Sequence, residues 1–82
     1  MNMPAIANFK RFDVRPLLAK GQEPFPVIRT RIDQLAAGEG LIVMAPFLPS
    51  PLIEILGAEG FATKIEKASG PDWMVYVWRN EN

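Results

Sequence analysis

Arg15 stands two residues after Asp13 and eight before Glu23, in a stretch that reads as the end of a strand and the loop beyond it. A guanidinium there can pair a carboxylate or a phosphate through two parallel bonds. Asp13 or Glu23 would orient it, Phe47 would add an apolar contact, and Ser50 stands at the head of a helix on the same edge. Together these residues describe a shallow anion or peptide site. The plainer and favoured reading is that Asp13 and Glu23 cap turns or pair with Arg15, while nearby prolines stiffen two loops. General acid–base work by Asp13 and Glu23 would need convergent geometry and unequal environments. Two carboxylates ten positions apart across a loop show neither, so no catalytic residue is assigned.

The remaining inventory is narrow. The chain has no Cys and no His. Without a thiol there is no disulfide, no persulfide carriage and no Cys–metal site. Without imidazole the usual base near neutral pH and the commonest metal ligand are missing. No metal and no cofactor are expected, and no enzymatic activity. Nine Lys plus Arg balance nine Asp plus Glu. Nucleic-acid binders carry a basic excess to neutralise phosphates, so that partner is not expected. The basic and aromatic cluster Tyr76, Trp78 and Arg79 reads as packing rather than as a base-stacking platform. A membrane partner is not expected either, since no apolar stretch approaches the roughly 20 residues of a span. The start of the chain lacks the pattern of a signal peptide, so cytoplasmic residence is expected.

The elements that must position these residues follow from periodicity. Residues 1–9 read as a tail and 10–79 as one domain. A first short strand runs to Val14 and stops at Arg15-Pro16, with a loop from Leu17 to Glu23. Pro24 opens a helix whose apolar face is Phe25, Ile28, Ile32, Leu35 and Ala36, with Gly38 placed to stop it. Leu41 to Ala45 is an unbroken apolar run, as expected of a strand buried on both faces. Ser50 is placed to cap a second helix with Pro51 at its first position, an apolar stripe of Leu52, Ile55 and Leu56, and Gly60 at its end. Phe61 to Lys67 alternates, and Trp73 to Trp78 is aromatic and β-branched. The order is β-α-β-α-β-β. Right-handed crossovers then give an α+β two-layer sandwich, a four-stranded mixed sheet with both helices on one face.

The last strand is apolar on both sides. Trp73, Val75 and Val77 share one face; Met74, Tyr76 and Trp78 share the other. Only one can face the helices. The other is left for a partner, such as a second copy of the chain, or for a cover made by Met1 to Phe9.

The element order and two motifs resemble the TusA/SirA-like family of sulfur carriers. That family carries a strand of type L-D-x-x-G-L, then C-P-x-P at the mouth of the first helix. The matching stretches are Phe12-Asp13-Val14-Arg15-Pro16-Leu17 and Gly21-Gln22-Glu23-Pro24. Arg29 falls where the family often has an Arg. A bacterial branch known only as a domain of unknown function is more similar. Its pattern is met by Asp13-Val14-Arg15-Pro16, Gly21, Glu23-Pro24-Phe25, Ala45-Pro46-Phe47, Pro49, Pro51-Leu52, Gly60-Phe61 and Trp73. The resemblance implies the fold over roughly residues 10–79. It does not extend to sulfur carriage, because the carrier Cys would fall at Gly21 or its neighbour and no other thiol exists. The expected function is therefore a non-catalytic binding or accessory domain, with another protein as partner. The alternative is a small-anion or metabolite site at the Arg15 edge.

Overall fold

A computed structural model describes residues 3–79. After a 3-10 turn at Ile6–Asn8 come β1 (Phe9–Asp13), α1 (Arg15–Ala19), α2 (Phe25–Asp33), β2 (Gly40–Ala45), α3 (Ser50–Ala58), β3 (Phe61–Lys67) and β4 (Trp73–Arg79). The strands form one mixed sheet in the order β1-β2-β4-β3. β1 runs parallel to β2, and β4 is antiparallel to both β2 and β3. The chain therefore crosses from β2 through α3 to the far edge and returns as the central strand β4. The apolar run of β2 follows from this position: flanked on both sides, it buries residues on both faces.

Both longer helices pack on the same face of the sheet. Ile28 and Ile32 from α2 and Leu52 and Leu56 from α3 meet Leu41, Val43 and Ala45 of β2 and Val75 and Val77 of β4. Arg29 of α2 pairs with Glu59 just beyond α3, tying the two helices together. The two-layer α+β arrangement expected from the residue pattern is the one observed.

Several local features differ. The loop after β1 contains a short helix, α1, because Pro16 lies at its first turn, where a missing N–H costs nothing. α2 ends at Asp33, ahead of Ala36. Leu35 still reaches the core from the turn that follows, but Ala36 is exposed, and its N–H donates to Glu39 Oε1 at 2.8 Å. Ser50 does not cap α3. It is the first helical residue, after Pro49, and makes no capping bond through its side chain. Ile55 leaves the expected apolar stripe and is 43% exposed, while Ile53 packs against the core instead.

The sheet face away from the helices carries a second cluster: Phe9, Ile42, Ala62, Tyr76 and Trp78, with Met3 and Met74 packed against it. Phe9 belongs to the fold and not to a tail. Its ring stands edge-on to Tyr76 and Trp78, with centroids 5.5 and 6.2 Å away. It lies over Gly40, its register partner, where a Cβ would come within 2.3 Å of the ring. Residues 1–2 of the lead-in and the polar end at 80–82 lie outside the described residues.

Candidate functional site

The two helix starts and the ends of β1 and β2 converge on one edge. A cleft of about 450 Å³ opens there between α2 and α3. Its walls come from Pro24, Phe25 and Ile28 at the head of α2, Val43 and Ala45 of β2, Phe47 and Pro49 of the following loop, and Pro51 and Ile55 of α3. Prolines make up much of its mouth. Pro24, Pro49 and Pro51 restrict φ at both helix mouths and line the cleft with short, rigid rings. Glu23 is the only charged residue on the walls. Its Oε1 accepts the Phe25 N–H at 3.4 Å, which turns the carboxylate back onto the first turn of α2. The rim adds exposed apolar side chains: Phe47 is 48% and Leu48 37% exposed.

The five residues read from the sequence as one site divide into two places. Glu23 and Phe47 line the cleft, and Ser50 opens α3 beside it without being on its walls. Asp13 and Arg15 do not line it. They border a separate hollow of about 230 Å³ with Arg11, Phe12, Ile42 and Met44. There Arg15 is already engaged. Its Nε donates to Asp13 Oδ1 at 2.9 Å, its Nη2 to Asp13 Oδ2 at 2.7 Å and its Nη1 to Asp72 Oδ2 at 2.6 Å. The guanidinium holds the Asp13 carboxyl below its ordinary value. The same bonds raise the already high value of Arg15, led by the one to Asp13. Two carboxylates around one guanidinium leave a net negative charge, so this group is a poor receiver of anions. The bond to Asp72 instead pins the end of β1 to the β3–β4 turn.

The second expected surface is also placed. Met74, Tyr76 and Trp78 do face away from the helices, but Tyr76 is 7% and Trp78 5% exposed. Phe9 of β1 is part of this cluster and Met3 packs against it, so these side chains are largely buried within the chain. Tyr76 donates its hydroxyl to Glu66 Oε1 at 2.8 Å, and Lys64 reaches Glu66 Oε2 at 3.1 Å. Both bonds, led by the one from Tyr76, hold the Glu66 carboxyl below its ordinary value, and the bond to Glu66 raises the Tyr76 phenol. The Trp78 indole Nε1 is buried without a partner among the described residues.

Sequence reasoning missed the cleft as a feature. Its signal in the sequence is the density of prolines at both helix mouths, which composition alone presents as loop stiffening. Among the described residues no three potential metal ligands cluster, and no helix is long and apolar enough to cross a membrane.

A family model described as "uncharacterized conserved protein (DUF2249)" matches residues 11–79, from within β1 to the end of β4. The chain belongs to this family. The DUF2249 match takes in the residues lining both hollows, but not Phe9 and Met3 of the back-face cluster. No curated protein and no solved structure matches the chain.

Proposed function

We propose that this DUF2249 domain is a non-catalytic binding module that receives an apolar segment of another protein in the cleft between α2 and α3. One observation carries the reading: a cleft of about 450 Å³ with apolar walls and a single charged residue, Glu23. Its volume lies within the ~300–1,000 Å³ of ligand sites, yet it lacks the several convergent polar groups that orient a small metabolite. The exposed apolar rim suits a protein surface. Glu23 complements a basic residue beside the apolar segment.

The resemblance to TusA/SirA-like proteins fits this placement. The mouth of α2 reads Glu23-Pro24-Phe25-Pro26 and offers a carboxylate but no thiol. A carboxylate cannot carry a persulfide, so the mouth is left with contact chemistry alone.

Selection of displayed random 12-residue peptides on the domain tests the proposal. Enriched peptides should carry two or more large apolar residues next to a Lys or Arg. Their binding should weaken about tenfold or more in Phe47→Asp and persist in Arg15→Ala. Absence of enrichment, or equal binding by Phe47→Asp, would overturn the reading.

A further inference from the structure

The outer edge of β3 offers an interaction surface independent of the cleft. β3 ends the sheet, and it pairs only with β4 among the described strands. The turn sets the phase of its ladder: Ala68 N–H donates to Asp72 C=O at 2.9 Å. Bonded residues alternate along an antiparallel pair. With Glu66 opposite Met74 and Lys64 opposite Tyr76, those two residues and Ala62 bond inward to β4. Thr63, Ile65 and Lys67 turn their N–H and C=O groups outward. Ile65 sits at the middle of that outward row and is 42% exposed.

We propose that two copies of this chain pair through β3, antiparallel about a two-fold axis at Ile65, to form a continuous eight-stranded sheet. In this register Ile65 meets the partner's Ile65 as an outward, bonding pair, in phase with the free groups. Lys64 then stands opposite the partner's Glu66, and Glu66 opposite the partner's Lys64, so both symmetry-related pairs are oppositely charged. Centring on Lys64 would set like charges face to face. Centring on Thr63 would put Glu66 opposite Gly60 and lose both pairs. The sequence Thr63-Lys64-Ile65-Glu66-Lys67 is thus self-complementary in the one register that preserves both ion pairs. No proline interrupts the strand.

Sedimentation of the full chain across micromolar to millimolar concentration, with amide exchange read at each end, tests this. A reversible dimer should appear, and the Thr63, Ile65 and Lys67 amides should gain protection with concentration. Lys64→Glu should weaken the dimer about tenfold or more, and the double exchange Lys64→Glu with Glu66→Lys should restore it. Ile65→Pro removes an outward N–H without touching the β4 ladder and should leave a folded monomer by circular dichroism. A monomer at millimolar concentration, a dimer indifferent to Lys64→Glu, or a folded double exchange that stays monomeric would each overturn the proposal. Phe47→Asp should dimerise like the parent, so failure here is distinct from failure of the cleft reading.

Discussion

Arg15 is held between two carboxylates. Its guanidinium closes a bridge from Asp13 on one edge of the sheet to Asp72 in the β3–β4 turn. Because the Asp13 carboxyl is held below its ordinary value, it favours the folded state when ionised. That contribution is complete above the ordinary carboxylate range and disappears as pH falls through the lowered value. Denaturation midpoints for parent and Asp13→Asn should therefore differ most above about pH 5 and converge toward pH 2. A gap that widens on acidification would contradict this sign. Tyr76→Phe makes a second test at this scale. Losing the phenol should move the Glu66 carboxyl up toward its ordinary value in a carbon-detected titration, since that bond is the main cause of its depression. A Glu66 titration unchanged in Tyr76→Phe would locate the cause elsewhere.

At the scale of elements, the apolar periodicity locates both longer helices and all four strands, with β3 at its observed ends, but it misplaces the ends of both longer helices. Leu35 and Ala36 continue the spacing of Phe25, Ile28 and Ile32, so the spacing predicts a longer α2 than the structure has. The chain leaves the helix at Gln34, and Leu35 reaches the same core from a turn. A buried side chain records that it is buried, not which backbone shape brought it there. Ser50 misled in a similar way, because a serine ahead of Pro51 has the composition of a cap while Pro49 takes that place. The pairing of β1 with β2 makes a sharper prediction. Gly40 leaves room for the Phe9 ring, which a Cβ would meet at 2.3 Å. Gly40→Ala should destabilise by about 1–3 kcal/mol, the ordinary cost of overpacking. The corresponding melting shift is about 4–8 °C per kcal/mol for a domain of this size. A Gly40→Ala protein as stable as the parent would show that Phe9 does not hold this position.

For the whole molecule, the decisive fact is that the sheet is covered on both faces by different means. Helices cover one, and Phe9 with Met3 lie over the other. A small domain gains much from burying a second face, because its surface is large for its volume. Phe9→Ala should therefore cost about 3 kcal/mol and expose Tyr76 and Trp78 to quenching of their fluorescence. An unchanged melting curve and unchanged quenching would mean the ring is not a structural cover. This packing buries Tyr76 and Trp78 on the back of β4, whereas Phe47 at the helix mouths and Ile65 on the outer strand β3 stay exposed.

Composition and spacing alone determined the α+β class, the two-faced apolar last strand, and the absence of thiol and imidazole chemistry. These depend on residue identity and local period, which the chain carries along its length. Only the tertiary structure decided that Asp13 and Arg15 lie apart from Glu23 and Phe47, and that Asp72 completes the bridge across 57 residues. Only it opened a cleft between prolines from two helix mouths. Those relations depend on which strands become neighbours, and the strand order β1-β2-β4-β3 is set by the joint burial of residues distant in sequence.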